Sequence, residues 1–258
     1  MGAAMLELTS TRLWAKCGAI IAALGEICAL GAAGIALLAG AERAISASGE
    51  HDHPQPVVLA PGYADLEFVP PEPGTYSLPP LGPAGDGPVL DSGGKPARVH
   101  DFLGDKIVVL SFIYTRCDDV NGCPLASHVL RGVQNRLLET PDLSETVRLV
   151  SFSFDPGHDT PEVLADYSGY FRKPDYDWRF LTCGSAEELE PILDRYGQWV
   201  IADYDAEGSY LGTMSHVLRV YLIDRDRRIR NIYSVSFLHA DTLLNDIRTL
   251  QMEATKAG

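Results

Sequence analysis

The chain has 258 residues, 46% of them hydrophobic and 22% charged, a balance that excludes collagen-like and disordered classes and leaves room for one large or two small domains. Its formal net charge of −14 excludes a nucleic-acid-binding surface, which needs clustered Lys and Arg.

Residues 1–16 are short and include Arg12 and Lys16. They precede CGAIIAALGEICALGAAGIALLAGA, residues 17–41, a run long enough to cross a bilayer as a helix. Glu26 near its middle is the one ionisable group, and such groups are costly there. Basic residues ahead of the run favour a cytoplasmic amino terminus and export of everything after Ala41. A cleaved signal sequence is the competing reading, though its apolar region is normally only about 7 to 15 residues. Neither Cys17 nor Cys28 follows the small-residue pattern of a lipoprotein signal, and both read as small hydrophobes of the span. A single-pass anchor in a bacterial inner membrane is preferred to a mitochondrial one, because no Arg- and Ser-rich transit segment comes first.

Residues 42–80 are rich in Pro and Gly and read as a tether. His51 and His53, in GEHDHP, are taken as linker residues. The folded domain is expected over residues 81–258, opening with a short strand pair around DSGGK. KIVVLSFIYT (106–115) and VRLVSFSF (147–154) are apolar, β-branched runs, as in strands buried on both faces. Between them Leu125, Val129, Val133 and Leu137 repeat at helical spacing behind Pro124, which suits the first turn. Thr160-Pro161 reads as the start of a helix running to about Arg172. WRFLT (178–182) is a strand and SAEELEPILDRYG a helix. HVLRVYLID (216–224) and RIRNIYSV (228–235) form a hairpin, and a last helix carries Leu243, Leu244, Ile247 and Leu250. Alternating strands and helices closed by a hairpin and a helix predict an α/β domain with a mixed central sheet flanked by helices. Its chemistry is expected beyond the carboxyl end of a central strand, as in thioredoxin-like proteins.

That position is occupied by SFIYTRCDDVNGCPLASHVL, where Cys117 and Cys123 flank five residues. In an oxidising compartment the pair suits a structural disulfide. A redox-active dithiol is usually C-x-x-C, and the carboxylates of Asp118 and Asp119 are expected to raise the Cys117 thiol pKa. A metal cation would supply the missing positive charge. Thiol oxidoreductases of this fold place a cis-proline before the hairpin, but here GTMSHV puts His216 there. Two thiolates and an imidazole suit copper, as Cu(I) or Cu(II). Zinc fits the ligand types but wants a fourth protein ligand in a structural site.

FIYTRC…CP, SFSFDPGHDTPEVLADY and SHVLRVYLID, in this order, resemble the SCO/SenC family of membrane-anchored, thioredoxin-like copper proteins that help assemble cytochrome c oxidase. The resemblance covers roughly residues 80–250 and implies copper binding by Cys117, Cys123 and His216, with Asp155 as an acidic neighbour that tunes the site. It also implies delivery to the copper A centre of oxidase subunit II, or to another exported cuproprotein, by a binding protein and not an enzyme. The alternative is a membrane-tethered thiol–disulfide oxidoreductase acting on a partner's cysteines, with Cys117 and Cys123 as its dithiol. The family's usual spacing is C-x-x-x-C, so CDDVNGC is a widened loop, and Asn121-Gly122 supplies a turn that returns Cys123 to the helix start. A peroxidase on the same fold is disfavoured, because the second cysteine and the acidic loop do not suit a lone activated thiol. His128 reads as solvated, His158 as near the site without a role, Cys183 as a buried small residue, and His100 and His239 as lacking a nameable partner.

Overall fold

A computed structural model describes residues 57–257. The anchor expected over residues 17–41, the first part of the tether, and His51 and His53 lie outside the described residues. Among those described, no helix is long and apolar enough to cross a membrane.

The body is a mixed eight-stranded sheet between two layers of helix. In chain order its elements are β1 (Gly82–Pro83), β2 (Pro88–Asp91), β3 (Pro96–Arg98), β4 (Ile107–Ile113), α1 (Cys123–Leu138), α2 (Pro141–Ser144), β5 (Val147–Ser153), α3 (Pro161–Gly169), β6 (Trp178–Thr182), α4 (Ala186–Tyr196), β7 (Val200–Tyr204), β8 (Tyr210–His216), β9 (Val220–Ile223), β10 (Arg228–Tyr233) and α5 (Ala240–Ala257). The sheet order is β1-β10-β9-β4-β5-β6-β2-β3. Strands β4, β5 and β6 run parallel, and β9 closes antiparallel on β4. This is the α/β, thioredoxin-like arrangement expected from sequence.

Alternation along the central strands sends neighbouring side chains to opposite faces. Val109 and Leu149 join one core with the α1 stripe of Leu125, Val129, Val133 and Leu137 and the α5 residues Leu243, Leu244, Ile247 and Leu250. Val108, Leu110, Phe112, Val150 and Phe152 join a second core with Leu189, Ile192 and Tyr196 of α4. Every residue of β4 and β5 is buried, which is why both strands are rich in apolar residues on both faces.

Three stretches differ from the sequence reading. Helix α3 stops at Gly169, short of Arg172, because the following chain satisfies a buried glutamine on α1. Gln134 donates to the Phe171 carbonyl at 3.0 Å and accepts the Lys173 N–H at 2.8 Å. Strands β7 and β8 form a separate two-stranded sheet where the sequence reading placed no element. Its turn is built by Asp205, whose Oδ1 accepts the N–H groups of Glu207 and Ser209, with Gly208 at φ +83°. Residues 57–80, assigned to the tether, pack against the body. Tyr76 donates to Asp246 at 2.6 Å, and Asn245 donates to the Pro71 carbonyl at 2.8 Å.

One charged cluster interrupts the apolar β5. Asp177 accepts from Lys106 at 3.0 Å, Arg148 at 2.9 Å and Arg179 at 2.6 Å, and Arg148 also grips both carboxylate oxygens of Asp105. Burial alone would push the Asp177 carboxyl up, but Lys106, Arg179 and Arg148 outweigh it and hold it below its ordinary value of 3.8. A depressed carboxyl stabilises the fold above its unfolded pKa, and that contribution is lost as pH falls through the folded value. Asp177→Asn is expected to lower unfolding free energy by about 2 kcal/mol at neutral pH, with the gap closing below about pH 4. Denaturant unfolding of both proteins across this range checks it; a gap that persists undiminished in acid contradicts this account of the cluster.

Candidate metal centre

The parallel strands β4 and β5 end side by side, and their carboxyl ends feed the two loops that matter. Strand β4 passes through Tyr114, Thr115 and Arg116 to Cys117, while Cys123 is the first residue of α1. Asp119 shapes the intervening loop. Its Oδ1 accepts the Asn121 N–H at 3.0 Å, and its carbonyl accepts the Gly122 N–H at 2.8 Å. A Cβ at Gly122 would sit 3.2 Å from the Cys117 sulfur and 3.2 Å from the Asp119 carbonyl oxygen, so glycine lets the sulfur in. The wide loop thus turns back at Asn121-Gly122 and delivers Cys123 to the helix start.

His216 arrives from β8, as the last residue of a strand and not the first. One ligand atom from each of Cys117, Cys123 and His216 lies within 4.8 Å of the others. The Cys123 sulfur is 3.6 Å from His216 Nε2 and accepts the Tyr114 N–H at 3.4 Å. On the far side of the ring, His216 Nδ1 lies 3.0 Å from the Met214 carbonyl, an arrangement in which Nδ1–H donates and Nε2 faces the sulfurs. The rings of Tyr114 and Phe154, just beyond β4 and β5, hold the imidazole with centroids 5.6 and 5.0 Å away. Cys123 is buried and Cys117 half-buried, so the opening lies on the Cys117 side.

Cys117, Cys123 and Cys183 are all free thiols here. The Cys117 thiol is pushed well below its ordinary value, first by the Cys123 thiol, then by His216 and the N–H groups of Cys123 and Asp119, against the opposing effect of burial. This reverses the sequence expectation that Asp118 and Asp119 would raise it. The second thiol and the imidazole beside the sulfur favour its thiolate more than the neighbouring carboxylates oppose it. Burial first, and then the neighbouring Cys117, push Cys123 in the opposite direction. Burial alone would lower His216, but Cys117 and the Met214 carbonyl raise it.

The remaining sequence candidates fall elsewhere. Asp155 lies not among the sulfurs but on Arg116, at 2.7 Å, one residue from Cys117. It groups with His158 and Asp159. Asp159, whose contribution the sequence reading missed, is fully buried. It accepts the Thr115 N–H at 3.0 Å, the Thr115 hydroxyl at 2.5 Å and the Ser153 hydroxyl at 2.6 Å, with His158 Nδ1 at 2.9 Å. It therefore ties the end of β4 to the end of β5, two residues before Cys117. The only signal in sequence is a second aspartate directly ahead of the Thr160 cap. His128 is exposed on α1 under the Tyr63 ring. His100 lies by Asp86 and the Ala84 carbonyl, and His239 by the Ala64 carbonyl. Cys183 is 3% exposed, a buried small residue as expected.

A sequence profile of the SCO1/SenC family matches residues 88–251. The SCO1 protein homolog of Bacillus subtilis is 25% identical over 158 residues, 60% of this chain and 76% of that one. Bradyrhizobium japonicum ScoI with copper bound has a similar structure, with TM-score 0.53, 25% identity, and coverage of 65% of this chain and 98% of that one. A SCO1/SenC family lipoprotein from Bacillus anthracis gives TM-score 0.56 and 26% identity, covering 67% of this chain and 97% of that one.

Proposed function

Because the chain belongs to the SCO1/SenC family, we propose that it is a copper-binding factor of cytochrome c oxidase assembly, with Cys117, Cys123 and His216 holding the copper as cargo. The observation that carries this reading is the convergence of two sulfurs and one imidazole nitrogen within 4.8 Å. Thiolates select Cu(I), and imidazole accepts either oxidation state. A structural zinc site would take four protein ligands, and among the described residues this group has three. A similar structure, that of Bradyrhizobium japonicum ScoI, holds copper, and Sco proteins are described as cytochrome c oxidase assembly proteins. The client in this reading is the copper A centre of oxidase subunit II or a related exported cuproprotein.

The setting is an inner membrane, with residues 1–16 in the cytoplasm, 17–41 as a single-pass anchor, and the copper domain outside the cytoplasm. The apolar run after Arg12 and Lys16 supports it. Asp155 acts on the site through Arg116, the residue before Cys117, whose guanidinium it pairs at 2.7 Å.

A second reading, thiol–disulfide exchange with a partner's cysteines, is favoured by one observation. A half-exposed, acidic Cys117 beside a buried, reluctant Cys123 is the asymmetry of an attacking and a resolving thiol. Copper titration of the reduced full chain in detergent, beside Cys117→Ser, Cys123→Ser and His216→Ala, separates the two. One copper with a thiolate-to-copper absorption band, lost in all three variants, is expected. No copper in the parent protein, with a readily cycling disulfide, transfers the function to exchange.

A further inference from the structure

Residues 58–64 lie across the cysteine loop as a strap. The Asn121 side chain pairs with the strap backbone in both directions, as a strand would. Its Oδ1 accepts the Ala60 N–H at 2.7 Å, and its Nδ2–H donates to the Val58 carbonyl at 2.9 Å. The Tyr63 hydroxyl donates to the Val120 carbonyl at 2.5 Å, and the Tyr63 ring rests 4.8 Å from the His128 ring on α1. The strap is seated with no slack. Ala60 and Gly62 are buried, and a Cβ on Gly62 would fall 2.3 Å from the Leu238 carbonyl oxygen and 3.0 Å from Leu125 and Val129 of α1. His239 closes the far end on the Ala64 carbonyl at 2.9 Å.

Within residues 118–122, Asp119 accepts the Asn121 and Gly122 N–H groups, and the Gly122 carbonyl accepts the Ala126 N–H of α1. The side chain of Asn121 and the carbonyl of Val120 are instead spent on the strap. A loop of five residues between Cys117 and Cys123 has many closed shapes of similar energy, and external contacts select among them. We propose that Asn121 and Tyr63 are positioning residues: by docking the strap Val58–Ala64 on the loop, they hold the Cys117 sulfur in the shape that faces Cys123 and His216. This rests on the metal-binding reading above. It also makes the end of the tether part of the site, so that a partner which draws the strap away loosens Cys117 first.

The test uses the full chain with Asn121→Ala, Tyr63→Phe and Gly62→Ala. Gly62 makes no hydrogen bond to the loop, and a methyl there drives the strap off the Leu238 carbonyl while pressing on Leu125 and Val129 of α1, so its effect is read beside the unfolding midpoint. Amide hydrogen exchange at residues 118–122 is read without metal, and copper loss to a chelator and the thiolate-to-copper band are read with it. Expected are exchange faster by about tenfold in Asn121→Ala and Gly62→Ala, a matching increase in copper loss, a shifted band, and a smaller effect in Tyr63→Phe. Unfolding midpoints locate the effect: a shifted band at an unchanged midpoint marks positioning. Unchanged exchange in Gly62→Ala overturns the proposal, and so does faster exchange with copper loss unaltered. If the parent chain holds no copper, the metal reading fails, while the exchange experiment still decides whether the strap holds the loop.

Discussion

Asp159→Ala should weaken copper retention by about 10- to 100-fold and lower the unfolding free energy by about 3 kcal/mol, roughly 10 °C in midpoint for a domain of this size. The carboxylate is fully buried and accepts from Thr115 twice and from Ser153 once, with His158 against it. Alanine leaves those donors facing a small void with no acceptor. Thr115 is two residues from Cys117, so freeing its N–H loosens the end of β4 that aims the sulfur. Asp159→Asn should behave differently. An amide can keep its oxygen towards the Thr115 N–H and Ser153, and turn its nitrogen towards the Thr115 hydroxyl and His158. Both of those neighbours can switch from donor to acceptor, one by rotating and one by changing tautomer. Asparagine should therefore keep most of the stability and most of the copper. Thermal unfolding with chelator competition reads both quantities. Full copper retention in a destabilised Asp159→Ala protein would confine Asp159 to folding and remove it from the site.

The sequence carried the three side chains that converge at the candidate site more readily than the contacts that arrange them. Cys117 and Cys123 were legible because they follow the buried strand KIVVLSFIYT and open the next helix, and His216 because it stands just before the hairpin where a cis-proline is expected, although it ends one strand and does not begin the next. Asp159 was not legible, because a buried carboxylate looks like a solvated one until the donors around it are known. The β7–β8 hairpin was missed because its residues Ile201, Tyr204, Tyr210 and Leu211 are apolar or aromatic yet exposed, which breaks the alternation of apolar and polar by which a half-buried strand is recognised. The Asp205–Gly208 turn was the signal that remained. The strap was hidden for a different reason. Pro-rich chain without periodicity reads as linker, yet Ala60 and Gly62 fit a groove by being small, and smallness leaves no pattern in a sequence.

The acidity of Cys117 shows the same limit on a finer scale. From sequence, Asp118 and Asp119 are the nearest charges, and like charge would hold the proton on. In three dimensions the Cys123 side chain first, and then His216, hold the thiolate, with the backbone at Cys123 and Asp119 adding to them. Sequence neighbourhood gave the wrong sign because the groups that decide it, Cys123 and His216, are brought to the sulfur by the fold.

That sign leads to the last expected result. In the reduced, metal-free protein, Cys117 should be alkylated by iodoacetamide selectively and about 30-fold faster at neutral pH than an ordinary thiol of the same accessibility would be on thiolate fraction alone, less what its lower basicity removes. Cys123 and Cys183 should resist, since both are buried and burial pushes both thiols up, Cys183 to about 12. The rate at Cys117 should stay flat from mildly alkaline into acidic solution and fall only where its thiolate takes up a proton, below the range in which an ordinary thiol is already silent. His216→Ala removes one of the groups holding the thiolate, so the fall should move to higher pH. Peptide mapping of the alkylated sites at a series of pH values reads all of this. A profile at Cys117 that rises only near the ordinary thiol range would restore the influence of Asp118 and Asp119, and would leave the exchange reading without its attacking thiol. A flat profile abolished by one equivalent of copper would join the two readings at one sulfur, because the thiolate that would attack a disulfide is then the thiolate that copper takes.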